Sequence, residues 1–391
     1  MNNYIENTYW IAIAHMPNWH TERINRLVIQ VIHENKMSWQ DFFELGTKEL
    51  TQIFSFSEKE RSDLITAKED LPRIAFIAEQ LQHEGFQLIP ITSQNYPSVL
   101  KENLKVKNSP VVLYIRGRTG LLNDEVVAVV GSRKAGKAAL DFTDQIAKKS
   151  VRESKVVVSG FAKGVDKQAL DSTLEAKGKS IIVLPQGILT FQSGFKKYYQ
   201  PIANGDVLVL STFFPKAGWD VGLAMARNAT IYGLAQEIYV AESDNKGGTW
   251  EGVKNGLARH RKIFVRNPEP GEKNANHILI DLGGIPVNRE GEPVNYPDKI
   301  KQELFTEHSA ETFVNETAAS YPDSDAAIGN RILEFLGKGD FTSKEICLAL
   351  KLDWDSRRLT RVLKSNPSIR VVEGKPAKFG LNTTINPTLF S

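Results

Sequence analysis

The 391-residue chain contains one cysteine, Cys347, and its seven histidines are scattered along the sequence. A single thiol excludes a disulfide within the chain and fits a reducing compartment, so we predict a cytoplasmic protein. Without a cluster of cysteines and histidines we predict no metal site, and we predict no cofactor. No apolar run approaches about 18 residues, and no basic segment followed by an apolar stretch opens the chain. The sequence therefore predicts neither a membrane span nor a signal peptide.

The net charge of +3 is too small for a protein whose whole surface is basic and binds nucleic acid through that charge. The charges are unevenly distributed, however. Residues 326–391 hold 11 lysines and arginines against 6 acidic residues, a net +5, whereas residues 288–325 hold 3 against 9, a net −6. A basic C-terminal segment behind an acidic tether favours a nucleic-acid-binding protein, although ordinary solvated surfaces would give the same pattern.

Two apolar runs end in glycine-rich, basic turns, and a helical pattern follows each turn. They read VVAVVGSRKAG at residues 126–136 and VVVSGFAKGVD at residues 156–166. Glycine lets the backbone approach a ligand, and the amides at the next helix N-terminus attract an anion. Neither turn matches GxxxxGK[ST] or GxGxxG, which argues against a P-loop and an ordinary dinucleotide site. The charges in and beside the turns predict a polyanionic ligand; they are those of Arg133, Lys134, Lys137 and Lys163.

These turns and the segments around them resemble the DprA/Smf family of DNA-processing proteins over residues 91–287. Gly131-Ser132-Arg133 is similar to the family's GSR turn, and residues 159–166 are similar to its SGxAxGxD turn. Four further blocks follow in the family's order: KSIIVLPQGI, GDVLVLSTFFP, ARNATIYGLA and IYVAESDNKGGTWEGV. The resemblance implies a non-catalytic, homodimeric, Rossmann-like module that binds single-stranded DNA. It also implies that the module loads a RecA-type recombinase in recombination and natural transformation.

Three features depart from the family pattern. Leu170 stands where the family usually has histidine, Ala229 replaces the second arginine of an RNR-like block, and the loop after Gly187 lacks the usual Tyr-Pro. The chain therefore resembles a divergent member or a paralogue. One alternative is a regulator or antitoxin of an antiphage or toxin–antitoxin locus that binds DNA and restrains an effector protein. Another is a nucleotide N-glycosidic hydrolase of phosphoribohydrolase type, with Glu251, at an altered offset from the GGxGTxxE signature, as acid or base.

The chain divides into four predicted segments. Residues 1–90 read as helical and resemble the small domain that precedes the core in the DprA/Smf family, which implies a SAM-like or helix-hairpin-helix-like domain. Over residues 91–287, continuous Val/Ile/Leu strands alternate with helices, which predicts an α/β, Rossmann-like, mostly parallel sheet with helices on both faces. Residues 288–325 read as an acidic linker. Residues 326–391 resemble a winged-helix domain.

The two terminal domains carry local signals of their own. Ser38 and Ser57 are predicted N-caps in the helical domain, and the absence of glycine from HMPNWHTER favours a packing or dimer role over DNA contact. Near the C-terminus, Thr342 begins a capping box and RVVEGKPAKFGL predicts a hairpin. Predicted contacts of this domain with DNA or a protein partner are Arg357, Arg358, Arg361 and Lys375. A purely protein-binding winged helix is an equal alternative.

The candidate DNA-binding residues lie in the glycine-rich turns and at helix N-termini. They are Gly131, Ser132, Arg133, Lys134, Ser159, Gly160, Phe161, Lys163, Gly164, Arg227, Asn228, Lys246, Gly247, Gly248 and Thr249. Cations and hydroxyls would bind phosphates, and glycines would permit close approach. We predict no catalytic residue.

Several of these residues have structural alternatives. Arg133 and Lys163 could instead form surface ion pairs with nearby carboxylates such as that of Asp166. We expect Asp166 itself to stabilise its turn by accepting backbone N–H bonds. Phe161 could stack on a base or anchor the turn from beneath. Residues 195–199, FKKYY, could line a single-strand groove or form an amphipathic helix with a packed tyrosine.

Overall fold

The structure is a computed structural model, and it describes residues 3–296 together with parts of the C-terminal region. Those parts are residues 332, 335–337, 339–350, 359–360, 363, 369–372 and 378–381. The chain forms two compact units, residues 1–297 and residues 298–391. Among the described helices, none combines the length and the apolar character needed to cross a membrane.

The N-terminal region is helical, as the sequence predicts. Its α-helices are α1 (Asn3–Ala14), α2 (Thr21–Val28), α3 (Trp39–Glu44), α4 (Thr47–Phe54), α5 (Glu58–Glu69) and α6 (Leu71–His83), and a π-helical segment (Ile29–Glu34) extends α2. Ser38 and Ser57 each accept a backbone N–H bond in a complete capping box, so both predicted N-caps are confirmed. The helices bury Trp10, Trp39 and Phe42 between them.

Within residues 3–296, one nine-stranded sheet forms the centre of the α/β region. Its strands are β1 (Gln87–Pro90), β2 (Val112–Arg116), β3 (Val126–Gly131), β4 (Val156–Ser159), β5 (Ser180–Val183), β6 (Val207–Ser211), β7 (Glu237–Glu242), β8 (Ile263–Arg266) and β9 (Ile285–Val287). The spatial order is β1-β2-β6-β5-β4-β3-β7-β8-β9. In this spatial order the seven neighbouring strands from β6 through β3 to β9 are parallel. The remaining two strands, β2 and β1, form an antiparallel edge beside β6. The predicted mostly parallel sheet is confirmed.

Helices cover both faces of this sheet. They are α7 (Ser98–Leu104), α8 (Lys137–Arg152), α9 (Val165–Glu175), α10 (Gln192–Lys197), α11 (Tyr199–Ala203), α12 (Val221–Leu234), α13 (Gly248–Ala258) and α14 (Asn276–Asp281), with 3₁₀ turns at Val106–Asn108, Thr119–Leu122 and Ile188–Thr190. Successive β3 residues enter opposite cores: Val126 and Ala128 join the larger one, and Val127 joins the smaller one beneath α8 and α9. Burial on both faces explains why the strands are continuous apolar runs.

The helical region packs directly against the sheet. The side-chain amide of Asn25 donates to the carbonyls of Val106 and Ser109, at 2.6 and 2.8 Å. The His15 ring is hydrogen-bonded to the Tyr114 hydroxyl at 2.9 Å. These buried polar contacts attach the helices to the antiparallel edge of the sheet.

The first residues of the predicted linker are folded. Val287 forms an antiparallel bridge with Pro293, and the Asn288 amide donates to the Glu292 carbonyl at 2.9 Å. The chain therefore turns back on β9 before residue 297. Residues 297–325 of the predicted linker lie outside the described residues.

The described part of the C-terminal unit contains helix α15 (Ser343–Ala349) and strands β10 (Phe341–Thr342), β11 (Ile369–Val372) and β12 (Lys378–Leu381). The strand order is β10-β12-β11, and β11 and β12 pair antiparallel as the predicted hairpin requires. The Thr342 hydroxyl accepts from the Glu345 amide at 3.3 Å, which confirms the capping box. The predicted contacts Arg357, Arg358, Arg361 and Lys375 lie outside the described residues.

Candidate nucleic-acid interface

A cavity of about 410 Å³, called the cleft below, opens where the parallel strands end. The loops after β3, β4 and β7 and one face of α12 bound it. In the sheet, β3 has β4 as its neighbour on one side and β7 as its neighbour on the other. The strand order therefore reverses at β3, and the cleft lies at this topological switch point. Open α/β sheets bind their ligands in this crevice.

Most of the predicted site residues meet in the cleft. Those that line it are Gly131, Ser132, Arg133, Lys134, Arg227, Asn228, Lys246, Gly247, Gly248 and Thr249. Those that do not line it are Ser159, Gly160, Phe161, Lys163 and Gly164. All five belong to the second glycine-rich turn, so this turn supports the cleft more than it bounds it.

The first turn presents two cations to the cleft. The Ser132 hydroxyl accepts the amide of Lys134 at 3.0 Å and thereby shapes the turn. Arg133 and Lys134 are exposed, and neither forms an ion pair within the described residues. At the start of α8, the Glu242 carboxylate accepts the Gly136 amide at 3.1 Å. An acidic side chain of the protein therefore already lies at the N-terminus of α8, which the sequence predicts to be a binding site for an anion.

The second turn packs against the first. Gly164 has a φ of +76°, and a Cβ at this position would overlap the carbonyl oxygen of Ser132. The Val165 amide donates to that same carbonyl at 3.3 Å. Glycine is required here by the contact between the turns, which is a conformational role. Lys163, at the tip of the turn, is exposed and makes no ion pair within the described part of the chain.

Arg227 is buried beneath the cleft, with 4% of its surface exposed. Its Nη1 lies 3.6 Å from Oδ2 of Asp166 and donates to the Val183 carbonyl at 3.4 Å. A Cβ on Gly160 would overlap this guanidinium, which explains the glycine at that position. The Nε of Arg227 and the hydroxyl of buried Ser159 have no hydrogen-bond partner among the described residues.

Asp166 holds its own turn, as the sequence predicts, because its carboxylate accepts the Ala162 amide at 3.2 Å. Burial raises the pKa of this carboxyl, and the charge of Arg227 acts in the opposite direction. Burial lowers the pKa of Arg227, and Asp166 opposes that change. Within the described residues the ion-pair partner of Asp166 is Arg227, and neither Arg133 nor Lys163 forms an ion pair with it, although the charge of Arg133 also acts to lower the pKa of Asp166.

The N-terminus of α13 forms another wall of the cleft. Gly247 has a φ of +93°, and no side chain caps the eleven-residue helix that follows it. A Cβ on Gly248 would lie 2.6 Å from Nδ2 of Asn228, so glycine allows this amide to lie against the turn. Lys246 is exposed at the same turn. Open amides, the helix dipole and a cation together favour a phosphate at this point.

Phe161 is an anchor in this structure. It has a φ of +61°, and its half-buried ring contacts the rings of Phe191 and Tyr198 at centroid distances of 5.0 and 5.6 Å. Residues 195–199 form the end of α10 and the start of α11, with Tyr198 buried and Phe195 packed against Phe191. Of the two alternatives for this segment, the structure shows the amphipathic helix with a packed tyrosine.

Several lining residues were not singled out in the sequence. Val221, Met225 and Tyr232 line the cleft from α12, and Asp244 lines it from the loop after β7. The recurrence of cleft-lining residues about every three to four positions along α12 was the available signal. This periodicity was obscured because both faces of α12, the one that lines the cleft and the one that packs on the core, carry apolar residues.

A second cavity of about 330 Å³ adjoins the cleft and shares Met225, Asn228, Tyr232 and Gly248 with it. Glu251 is exposed and lines this second cavity, not the cleft. The carboxylate considered for hydrolysis therefore lies outside the cleft, although its cavity shares Asn228 and Gly248 with the predicted phosphate site. Leu170, where the family usually has histidine, is fully buried in the core.

Comparison with known proteins gives concordant results. The family profile described as DNA recombination-mediator protein A matches residues 87–291. The DNA processing protein DprA of Streptococcus pneumoniae is 31% identical over 184 residues, which cover 47% of this chain and 64% of that protein. Protein Smf of Synechocystis is 24% identical over 309 residues, 73% of this chain and 75% of that protein. The chain thus spans slightly less than two thirds of the pneumococcal relative's length.

The X-ray structure of the pneumococcal DprA aligns with a TM-score of 0.56 and 24% identity. The alignment covers 76% of this chain and 99% of that one. It shows the same Rossmann-like fold.

Proposed function

Since the chain belongs to the DNA recombination-mediator protein A family, we propose that it binds single-stranded DNA in the cleft and acts as a recombination mediator. One observation carries the proposal. Arg133, Lys134 and Lys246 line the same cavity as the uncapped N-terminus of α13, and none of them forms an ion pair within the described residues. Each can therefore neutralise a phosphate without first losing a carboxylate partner.

The size of the cleft favours a single strand over a duplex. Its volume of about 410 Å³ is in the range of small-ligand sites, about 300–1,000 Å³. A duplex also exposes phosphates on its outer surface, but its paired and stacked bases are not free to contact the walls of the cleft. An unpaired strand can direct a phosphate to the cations while its bases contact the surrounding surface.

We propose that this binding involves no catalysis. Asp166 is the buried carboxylate beneath the cleft, and Arg227 and the Ala162 amide already engage it. Glu251 is exposed in the second cavity, which Arg133, Lys134 and Lys246 do not line. Incubation with nucleoside monophosphates should release no free base, and the Glu251→Gln variant should behave identically. Base release that Glu251→Gln stops would establish the hydrolase instead.

The proposed partners and location follow from the family resemblance. We propose a cytoplasmic homodimer that delivers its strand to a RecA-type recombinase. Acceleration of strand exchange by RecA on strands already covered by single-strand-binding protein would support this delivery. Stable capture of an effector encoded beside this chain, without any effect on RecA, would favour the regulator.

Fluorescence anisotropy tests the binding proposal. A labelled oligo-dT and a matched duplex are titrated with the protein at low and at high salt. We expect preference for the single strand, and we expect Arg133→Ala/Lys246→Ala to lower its affinity at least tenfold and to reduce the salt slope by roughly 0.7 per lost phosphate contact. The matched control is Lys59→Ala/Lys68→Ala, which removes two exposed charges from α5. Equal affinities of the two double variants, or preference for the duplex, would contradict the proposal.

A further inference from the structure

Trp219 has an unusual environment for a tryptophan. Of the five tryptophans that the structure describes, the other four are buried or half-buried, whereas Trp219 is 54% exposed. Within the described residues it has neither an aromatic nor a cation–π partner, although Trp19 and Trp250 have such partners. A single exposed ring is common on protein surfaces, whereas an exposed ring that is continuous with other exposed apolar side chains marks a surface that contacts something else.

The backbone places this ring beside the cleft. Asp220, the N-cap of α12, has an extended conformation with φ −144° and ψ 151°. Side chains two positions apart in extended backbone point to the same side, so Trp219 and Val221 share a side. Val221 lines the cleft, and Met225 lines it one helical turn later. Both are also exposed, at 62% and 41%.

The three side chains therefore form one apolar strip at the rim of the cleft. Arg133, Lys134 and Lys246 line the same cavity and outnumber Asp244, the exposed carboxylate that also lines it, so the surroundings of this strip are mainly cationic. A flat apolar ring next to unpaired cations complements a nucleotide, which offers an aromatic face next to a phosphate. A purely apolar protein surface would match the strip but would leave these cations without partners.

We infer that Trp219 stacks on a base of the single strand whose phosphates bind the cleft, with Val221 and Met225 contacting the base edge or sugar. The inference rests on the proposed function and adds a base contact to it. Stacking depends little on base identity, because every base has a π-face. The contact therefore adds affinity for unpaired strands without reading sequence, and it discriminates against duplexes, whose bases are already stacked.

An abasic oligonucleotide separates the base contact from the phosphate contacts. We expect Trp219→Ala to lower the affinity for oligo-dT about tenfold and to leave the affinity for an abasic strand of equal length unchanged. Trp219→Phe should retain most of the affinity because it keeps a ring, and Trp219→Leu should resemble alanine. The control is Phe76→Ala, which removes a 75% exposed ring from α6. Oligo-dT should also quench tryptophan fluorescence in the wild type more than in Trp219→Phe.

The outcomes distinguish the two proposals. If wild-type protein binds oligo-dT but Trp219→Ala binds both strands as tightly as wild type, the stacking inference is overturned and the proposed function remains. An equal loss on both strands would also overturn it, since the ring would then support the cleft structurally. Dissociation of a homodimer by Trp219→Ala, with oligo-dT affinity unchanged, would assign the strip to a protein interface. Absence of any single-strand binding by wild type would refute the proposed function itself.

Discussion

The guanidinium of Arg227 lies 3.6 Å from the carboxylate of Asp166, and this buried pair connects α12 to the turn after β4. The carboxylate of Asp166 also accepts a hydrogen bond from the Ala162 amide, and the Arg227 side chain lies against the backbone of Gly160. A buried ion pair adds little net stability, but removing one partner leaves an uncompensated charge and costs about 3–5 kcal/mol. The pair therefore fixes the floor of the cleft, and the proposed phosphate contacts fall to the exposed cations above it.

Gly160→Ala should destabilise the protein. The added methyl group would overlap the guanidinium of Arg227, so either the arginine or the turn must move. We expect the free energy of unfolding to fall by about 1–3 kcal/mol, the usual cost of forcing an extra group into a packed site. Urea unfolding monitored by circular dichroism measures this change.

The physical origin of that loss can be tested with a double-mutant cycle. In the Arg227→Ala background the clash is absent, so Gly160→Ala should cost much less than in wild type. Additive losses would show that the conformation of Gly160, and not the guanidinium, sets the cost.

The salt dependence of DNA binding should distinguish residues that line the cleft from residues that border it. Arg133→Ala, Lys134→Ala and Lys246→Ala should each reduce the slope of log affinity against log salt by roughly 0.7. Lys163→Ala should change the slope less, because Lys163 is exposed but does not line the cleft. Anisotropy titrations at several salt concentrations measure these slopes. An equal change for Lys163→Ala would extend the interface across the second turn.

The sheet was largely predictable from the sequence because its strands are buried on both faces and read as continuous apolar runs. The continuous Val/Ile/Leu runs that the sequence predicts as strands correspond to β2 through β8. β1 and β9 were missed for identifiable reasons. β1 is a four-residue edge strand with little burial, and β9 contains Pro286, which usually argues against a strand. The antiparallel edge was also missed, since strand direction is set by chain connections and not by composition.

The candidate site was only partly predictable. Glycine-rich turns at strand ends indicated the cleft, because parallel strands end at one edge. The same pattern could not separate residues that line a cavity from those that support it. Phe161 and Gly164 belong to a binding motif, yet they contact neighbouring rings and the other turn. Trp219 belongs to no motif, and only its exposure beside the cleft identifies it.

His15 should make the protein less stable in acid. Burial beside Tyr114 and Phe214 lowers the pKa of its imidazole from 6.5 to about 4. Between these values the unfolded chain binds a proton and the folded chain does not, so stability falls as pH decreases from 6.5 towards 4. The full effect is on the order of 3 kcal/mol. The His15→Gln variant should lose less stability over this interval. Urea unfolding at neutral pH and near pH 4.5 compares the two.

The control is His20→Gln, which replaces an exposed histidine near the start of α2. This variant should keep the wild-type pH dependence, whereas its absolute stability can differ. Identical pH dependence of His15→Gln and wild type would show that the acid sensitivity arises from carboxylates, such as those of Glu60 and Glu237, whose pKa values are lowered.

Glu242 should weaken DNA binding in the wild type. Its carboxylate accepts the Gly136 amide at the start of α8, and its backbone carbonyl accepts the Ser132 amide at 2.9 Å, so it lies directly beside the cationic first turn. A negative charge there opposes an incoming phosphate and competes for the α8 dipole. Glu242→Gln keeps an oxygen that can accept the Gly136 amide but removes the charge. We expect the affinity for oligo-dT to rise several-fold at low salt.

The gain should shrink at high salt, because screening weakens charge repulsion between exposed groups. Glu58→Gln, which removes an exposed charge from the first turn of α5, is the matched control and should leave the affinity unchanged. A lower affinity of Glu242→Gln at both salt concentrations would mean that the carboxylate is needed to hold the first turn in its binding conformation. The sign of this single change therefore decides whether Glu242 acts on DNA through its charge or through the hydrogen bond to Gly136.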